Sequence, residues 1–294
     1  MNAASVDKIL PLLGERLQLE FKPSLRKIIL HFHEFKTRNA MSADTALELA
    51  ALSDAFSTHN SAHPASALLQ SQQYSVLVLK SHVPGVFLSG GDLKAISTFD
   101  TQQGEIFIQH MRAFTHFLRT SSLVSIALLD GLAAGGGSEV ALACDLRVAT
   151  SSAAQLDLAQ TRWGVPAGWG MMTDLRRHGV YSSERRRAMA LIAQERWNID
   201  RLEQLGLLDA RFDHAPQPER AFERWLEDFL ARLGQCPVPL REALMLERPL
   251  LPDAELEEFD KKLFSQFWLS EVHRSRVADF IQARELSKKD VDTP

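Results

Sequence analysis

Two glycine runs, each at the end of an apolar stretch and each followed by a carboxylate, have the clearest chemical potential in this sequence. The first is Ser89-Gly90-Gly91-Asp92, and the second is Gly135-Gly136-Gly137-Ser138-Glu139. Glycine lets a ligand approach the backbone closely, and free N–H groups at the end of a strand or the start of a helix attract negative charge. If the two runs face each other, the N–H groups of Gly91 and Gly136 predict an oxyanion hole.

The same residues also have structural interpretations, which the spacing alone leaves open. Glycine runs allow strands and helices to pack closely. A glutamate in the first turn of a helix, such as Glu139, is stabilised by the helix dipole whether or not it catalyses. Asp92 stands where a helix N-cap is expected. Ser138 lacks the Gly-x-Ser-x-Gly pattern of a nucleophile elbow, so we do not predict nucleophilic catalysis by it.

A pair of histidines, His31 and His33, lies two residues apart on one predicted strand and therefore on one face of it. Two ligands without a third at a definite spacing favour a hydrogen-bonded or exposed pair over a metal centre. We predict no metal site.

The composition of the 294 residues excludes several classes of protein. A hydrophobic content of 45% with 24% charged residues is typical of a folded globular chain, not of a disordered or fibrous one. The net charge of −4 leaves no basic excess for nucleic acid. Cys144 and Cys236 cannot form a disulfide framework or a zinc site. No apolar segment is long enough to cross a bilayer, and the N-terminus lacks a secretory pattern. We predict a cytoplasmic protein without nucleic-acid or membrane partners.

The elements that must position these residues follow from hydrophobic periodicity. Strands are predicted at 17–21 and 28–33, as a hairpin, and at 74–80, 124–131 and 146–152. Helices are predicted at 42–58, behind a Ser42 cap, and at 103–119, and the chain is predicted to be mainly helical from Ser182 onward. Alternation of strands and helices predicts an α/β fold built from βαβ units. We divide it into a catalytic core, 1–214, and a helical C-terminal extension, 215–294.

Five segments resemble the enoyl-CoA hydratase/isomerase (crotonase) superfamily. They are KTRNAMS at 36–42, VFLSGGDLKAI at 86–96, IALLDGLAAGGGSEVALACDL at 126–146, QTRWGVPAGWG at 160–170 and LEQLGLLD at 202–209. The third is the most specific, because it joins an apolar strand, Asp-Gly, three glycines and Cys-Asp in the family's order. The resemblance implies a crotonase-like spiral of ββα units with a helical C-terminal region, assembled as a homotrimer or hexamer. Residues 263–281 resemble the helices that close the acyl site in this family.

The resemblance also assigns roles to individual positions. Gly91 and Gly136 match the two N–H donors of the family's oxyanion hole, which holds the thioester oxygen of an acyl-CoA as it becomes an enolate. Glu139 matches the first of the two glutamates that hydrate enoyl-CoA. The second falls at Gln160, whose carboxamide cannot exchange a proton near neutral pH.

Coenzyme A is expected as part of the substrate, with no permanently bound cofactor. In the family, the segment matching Arg38 and Ala40 passes the adenine and phosphates of coenzyme A, and Leu93 flanks the same site. Ser89 and Asp92 complete the residues that we expect to bind it.

Three functions fit these residues. The first is a lyase or isomerase of enoyl-CoA hydratase/isomerase type, with Glu139 as its acid and base. The second is a decarboxylase for a malonyl-type acyl-CoA, in which the N–H donors of Gln160 would hold the departing carboxylate. The third is a non-catalytic crotonase-like binding or scaffold protein, against which the intact Gly-Gly-Gly-Ser-Glu motif argues.

Overall fold

The largest sheet has six strands. Numbered along the chain, they are β1 (Leu17–Lys22), β2 (Lys27–Phe32), β4 (Val76–Ser81), β7 (Val124–Leu129), β9 (Leu146–Ala149) and β12 (Ala210–Arg211). Their spatial order is β1-β2-β4-β7-β9-β12. The hairpin β1–β2 is antiparallel, and every other neighbouring pair is parallel. β2, β4 and β7 are almost entirely buried and largely apolar, as expected for parallel strands covered on both faces.

Two smaller sheets lie beside the large one. The four-stranded sheet contains β5 (Val86–Leu88), β8 (Leu132–Ala134), β10 (Gln155–Asp157) and β11 (Arg196–Asn198), in the order β11-β10-β8-β5. The two-stranded sheet pairs β3 (Ala40–Met41) with β6 (Gly90–Gly91). Three times in succession, a strand of the large sheet is followed by a strand of the four-stranded sheet: β4 by β5, β7 by β8, and β9 by β10. This repetition, with helices after the paired strands, is the predicted spiral of ββα units.

Eight helices are present in the described part of the chain. They are α1 (Ala43–Ala55), α2 (Leu93–Ile96), α3 (Thr101–Thr120), α4 (Gly136–Ala143), α5 (Met171–Arg177), α6 (Glu184–Ile192), α7 (Ile199–Gln204) and α8 (Pro218–Gln235). The Ser42 side chain caps α1 by accepting the N–H of Thr45, as predicted. α3 begins with a reciprocal capping box between Asp100 and Gln103 and packs along α1.

The described part of the region from Ser182 onward is mainly helical, as predicted, through α6, α7 and α8. It also contributes two short strands that were not predicted, β11 and β12. Both are too short for a periodic pattern. Trp197 is the buried residue of β11, whose neighbours are exposed, and β12 pairs with β9 through two residues only.

This computed structural model describes residues 13–56 and 74–235, together with Gln282. The chain divides into two compact units, Met1–Leu230 and Ala231–Pro294. The predicted helical segment 263–281 and the last residues of the helix predicted at 42–58 lie outside the described residues. Within the described part, none of the helices has the length and apolar character needed to cross a membrane.

Candidate active site

A cavity of about 930 Å³ receives the carboxyl ends of three parallel strands, β5, β8 and β10. Six of the residues selected from the sequence line it: Ser89, Gly91, Leu93, Gly136, Glu139 and Gln160. The rest of the lining is largely apolar and comes from α2, α3 and the segment 159–169. A concave apolar site with a few convergent polar groups is typical of small-molecule binding.

The two glycine runs meet at this cavity. Gly90 has a φ of 95°, and a Cβ atom added to it would lie 2.7 Å from the Ala134 carbonyl oxygen and 3.2 Å from the Gly136 nitrogen. A side chain is therefore excluded there both by backbone conformation and by space. This close backbone approach places Gly91 and Gly136 on the same cavity wall.

Glu139 lies at the buried end of the cavity, in the first turn of α4, with only 2% of its surface exposed. Its Oε2 accepts the backbone N–H groups of Trp169 at 2.6 Å and Met171 at 3.3 Å. Its Oε1 accepts the backbone N–H of Gly168 at 3.3 Å and the side-chain amide of Gln160 at 3.2 Å. Four donors thus fix the orientation of the carboxyl group.

Burial raises the pKa of Glu139 above its ordinary value of 4.5, and the hydrogen bonds from Trp169, Gln160, Met171 and Gly168 only partly oppose that shift. Desolvation disfavours the charged form, whereas N–H donors favour it. A carboxyl group with a raised pKa in a cavity is suited to accept and return a proton.

Gln160 is held beside Glu139 in a defined orientation. Its Nε2 donates to the Gly135 carbonyl oxygen at 2.9 Å as well as to Glu139. Its Oε1 is buried and has no hydrogen-bond partner among the described residues. From the sequence we predicted that the N–H donors of Gln160 hold a substrate carboxylate. In the structure these donors instead form hydrogen bonds with Gly135 and Glu139. The acceptor oxygen is the atom that remains for a substrate or a water molecule.

Trp169 covers the glycine at the start of α4. A Cβ atom added to Gly136 would lie 2.2 Å from the indole Cζ3, so the ring packs directly on this residue. The ring also makes an edge contact with Phe107 of α3, with 5.9 Å between ring centroids. The Trp169 carbonyl oxygen accepts hydrogen bonds from Thr115 and Arg119, while its N–H is bound to Glu139. The indole therefore limits the space beside the predicted oxyanion hole.

Three predicted binding residues are not among those that line this cavity in the described part of the chain. Arg38 is exposed and has a φ of 57°. Ala40 lies in β3, directly opposite Gly90. Asp92 caps α2 by accepting the N–H groups of Lys94 and Ala95, which is the structural alternative that its position indicated.

Sequence reasoning missed several residues that shape the cavity. The apolar wall includes Phe107 and Ile108 of α3, and three cations, Arg112, Arg162 and Arg196, also line the cavity. The helical periodicity of α3 identified its apolar stripe but not the part of that stripe that faces a ligand site. Among the described residues, the group that could hold a metal ion consists of His31, His33 and His82, and none of these lines the cavity.

The spiral of ββα units, with two glycine runs at one cavity, defines a crotonase-fold protein. The family model for enoyl-CoA hydratase/isomerase matches residues 27–286. The chain belongs to the enoyl-CoA hydratase/isomerase family, which confirms the resemblance inferred from the sequence.

Curated relatives match about 60% of this chain. Enoyl-CoA hydratase domain-containing protein 2, mitochondrial, of Mus musculus is 32% identical over 174 residues, which cover 59% of this chain and 57% of that protein. Methylglutaconyl-CoA hydratase, mitochondrial, of Rattus norvegicus is 31% identical over 182 residues, covering 60% and 55%. Ethylmalonyl-CoA decarboxylase of Danio rerio is 29% identical over 198 residues, covering 65% and 63%. The chain spans little more than half the length of the first two.

Solved structures share the fold at low sequence identity. Enoyl-CoA hydratase from Bacillus anthracis has a TM-score of 0.73 at 16% identity and covers 92% of this chain and 97% of its own. A putative enoyl-CoA hydratase from Thermobifida fusca, solved in complex with acetoacetyl-CoA, has a TM-score of 0.68 at 19% identity, covering 94% and 99%. These likenesses confirm the predicted fold class.

Proposed function

We propose that this protein processes an acyl-CoA by enoyl-CoA hydratase/isomerase-type chemistry through a thioester enolate. The observation that carries the proposal is the position of the Glu139 carboxyl group, buried in the cavity whose wall contains both Gly91 and Gly136. An acid/base beside two backbone N–H groups is the arrangement that enolate chemistry requires.

In the proposed mechanism, the N–H groups of Gly91 and Gly136 donate to the thioester oxygen. They stabilise the negative charge that develops there when the enolate forms. The first helical N–H groups have no acceptor within their own helix, so the Gly136 donor is available at no cost to α4. Glu139 takes a proton from the substrate or a water molecule and returns it to carbon. The free Oε1 of Gln160 accepts a hydrogen bond from that water and orients it.

Coenzyme A binds, in the proposed function, as part of the substrate. The Thermobifida fusca neighbours were solved with acetoacetyl-CoA and with CoA, which supports an acyl-CoA ligand for the shared fold. We place the acyl thioester at Gly91 and Gly136, with Ser89 and Leu93 beside it. The exposed guanidinium of Arg38 is suited to a phosphate, since Arg binds phosphate bidentately.

Decarboxylation of a malonyl-type acyl-CoA is the second candidate, and the cations of the cavity wall favour it. Arg162 and Arg196 share an ion pair with Asp157, at 3.6 and 2.6 Å, and Arg112 lines the same cavity. The three cations outnumber this carboxylate, so positive charge remains for a carboxylate on the acyl group, and the match to a decarboxylase from Danio rerio is compatible with this chemistry. The bond between the α-carbon and the carboxylate would break, and its electron pair would form the enolate as CO₂ leaves. Glu139 would then protonate the α-carbon, a role favoured by its raised pKa. A non-catalytic scaffold is the third candidate.

The oligomeric state and the cellular location of the protein extend the proposal. We propose a homotrimer or hexamer, as the family resemblance implies, and a helical extension over 215–294. A cytoplasmic location follows from the sequence only, whereas the names of the mouse and rat relatives describe those proteins as mitochondrial. Size-exclusion chromatography with light scattering of the full chain measures the assembly.

A short acyl-CoA is expected to raise the melting temperature of the protein, because a ligand that binds only the folded state stabilises it by mass action. At a ligand concentration of 100 times Kd, the stabilisation is about 2.7 kcal/mol. Calorimetry measures the affinity, and mass spectrometry of a panel of acyl-CoA incubations identifies the reaction. Absence of binding at millimolar acyl-CoA would contradict the enzyme proposal, whereas binding without turnover across the panel would favour the scaffold.

Shortening Trp169 to leucine is expected to shift the preference toward bulkier acyl groups by ~10-fold in kcat/KM, because the indole fills the space beside Gly136. Leucine retains the backbone N–H that binds Glu139. The ratio of kcat/KM for a branched and a short acyl-CoA is the measurement. Phe99→Leu is the matched control, since this ring lines the same cavity, whereas the side-chain atoms nearest to Gly136 are those of Trp169. An unchanged ratio in a folded Trp169 variant would show that the indole does not set specificity.

A further inference from the structure

Three histidines form a cluster on the large sheet, away from the candidate active site. His31 is on β2, His33 directly follows that strand, and His82 directly follows β4. One ring nitrogen from each lies within 4.8 Å of those of the other two. His31 Nδ1 and His82 Nε2 are 2.8 Å apart, and the rings of His33 and His82 are stacked with centroids 4.4 Å apart. The sequence supplied only two of these residues as a pair, because His82 comes from the neighbouring strand.

The backbone at this cluster is fixed by the sheet. The N–H of His82 donates to the Phe32 carbonyl oxygen at 3.0 Å, and the N–H of His33 donates to the Arg16 carbonyl oxygen at 3.0 Å. Parallel pairing of β2 with β4 therefore sets the separation of the three rings. Sites on rigid strands hold ligands more accurately than sites on loops.

The second nitrogen of His31 has a carboxylate partner. Its Nε2 lies 3.3 Å from Glu20 Oε2, on β1. A histidine that binds a metal ion usually donates its other N–H to a carboxylate, which fixes the tautomer and raises the basicity of the ligating nitrogen. With the His31 proton on Nε2, the lone pair of Nδ1 faces His82. His82 Nε2–H then donates to it. When His82 shifts to its Nδ1–H tautomer, the lone pair of Nε2 is free, and a cation takes the place of the shared proton.

His33 adds an atom that the protein does not satisfy. Its Nε2 is buried and has no hydrogen-bond partner among the described residues. A buried polar atom without a partner is destabilising, and binding an ion or a water molecule removes that cost. A cleft next to His33, lined also by Arg16, Glu34 and Asp44, gives access from solvent.

The charges around the cluster are balanced. Lys80 neighbours His31 across the sheet but is paired with Glu219 of α8 at 3.2 Å. Glu20 is also paired with Lys22 at 3.1 Å and keeps a carboxylate oxygen on His31.

We infer that His31, His33 and His82 form a binding site for a divalent transition-metal ion of the zinc class. Three imidazoles with a fourth position open to water are an established coordination set for Zn²⁺. Zn–N bonds of ~2.1 Å place tetrahedral ligands ~3.4 Å apart. His31 and His82 need to separate by about half an ångström from their 2.8 Å contact, and His33 needs to rotate inward. Glu20 positions the His31 ring and is not itself a ligand.

The test is titration of the full-length, chelator-treated protein with Zn²⁺ by calorimetry, and with Co²⁺ by visible absorption. We expect one ion per chain, with a Kd on the order of micromolar or below, and a Co²⁺ spectrum typical of tetrahedral nitrogen coordination. His33→Ala and His82→Gln should each weaken binding by at least ~10-fold, and Glu20→Gln by ~10-fold through the lost partner of His31. His116→Ala, at an exposed histidine of α3, is the matched control and should bind as the original protein does.

Thermal unfolding of each variant separates loss of the site from loss of the fold. His82 is exposed, so His82→Gln is expected to fold normally. Absence of binding at hundreds of micromolar Zn²⁺ would overturn the inference. Binding that persists unchanged in a double His33→Ala, His82→Gln variant would also overturn it, because the ion would then be held elsewhere. A site that binds Zn²⁺ but is insensitive to Glu20→Gln would overturn the positioning role of Glu20.

Discussion

Replacement of Glu139 by glutamine is expected to lower turnover by ~10²-fold or more, with at most a few-fold change in KM. The change keeps the size of the side chain but removes its ability to exchange a proton, which is the contribution of a general acid and base. The glycine N–H donors and the apolar wall are unaltered, so acyl-CoA affinity should be retained. Steady-state kinetics with the best substrate of the panel provide the measurement.

The hydrogen bonds of Glu139 make two controls necessary, a stability measurement and a matched variant. Its two oxygens accept four donors, and a glutamine would turn an NH₂ group toward two of them. A stability loss of about 1–3 kcal/mol is expected from that mismatch, so thermal unfolding must accompany the kinetics. Glu184→Gln is the matched control, because Glu184 also stands in the first turn of a helix but is exposed on α6. Turnover that survives in a folded Glu139→Gln protein would place the acid/base elsewhere.

The pH profile separates the two proposed reactions. Burial raises the pKa of Glu139 above 4.5. If Glu139 acts as a base, kcat/KM increases as the pH rises through the pKa of Glu139. This increase then occurs at a higher pH than the ordinary pKa of a glutamate would give. If it protonates the product of decarboxylation, kcat/KM falls as the pH rises through the same range.

The raised pKa of Glu139 also affects the pH dependence of folding stability. A folded state with a raised carboxyl pKa binds the proton more tightly than the unfolded chain does, so this contribution to stability is present below pH 4.5 and is lost as the pH rises.

The long elements were predictable because their patterns are complete in the sequence. β4 and β7 are largely apolar strands of six residues, and α3 repeats its apolar positions from Ile106 to Leu118, so period and length identify each of them. β5, β6, β8 and β10 contain two or three residues and show no period. Their pairing depends on the close approach of glycine backbones, as at Gly90, and this is a tertiary property.

The site was predictable only where residue type determines the chemistry. The glycine runs and Glu139 belong to a recognisable sequence motif, and they line one cavity in the structure. Three of the four donors to Glu139 are backbone N–H groups of Gly168, Trp169 and Met171, and backbone donors are the same in every residue type. The free Oε1 of Gln160 depends on the orientation of its amide, which follows from the positions of Glu139 and Gly135 rather than from the sequence.

Replacement of Gln160 by glutamate is expected to raise crotonyl-CoA hydration by ~10²-fold, from a low rate in the unaltered protein. The atom that is now Nε2 would become an oxygen 3.2 Å from Glu139 Oε1 and 2.9 Å from the Gly135 carbonyl oxygen. These are all acceptors, so the two carboxyl groups would have to hold one proton between them. A shared proton provides one acid and one base around the water, which is the two-glutamate arrangement of the family's hydratases.

The same replacement is expected to lower decarboxylation several-fold or more. The two carboxyl groups sharing one proton carry a negative charge, whereas a protonated Glu139 beside Gln160 carries none, and this added charge would repel the carboxylate of the substrate in a site of low dielectric constant. The two activities should therefore move in opposite directions, a result that a general loss of folding cannot produce. Gln204→Glu, at an exposed glutamine of α7, introduces the same charge away from the cavity and should change neither activity. Efficient crotonyl-CoA hydration by the unaltered protein would contradict the prediction, because Glu139 would then suffice without a second carboxyl group and Gln160 would not limit the reaction.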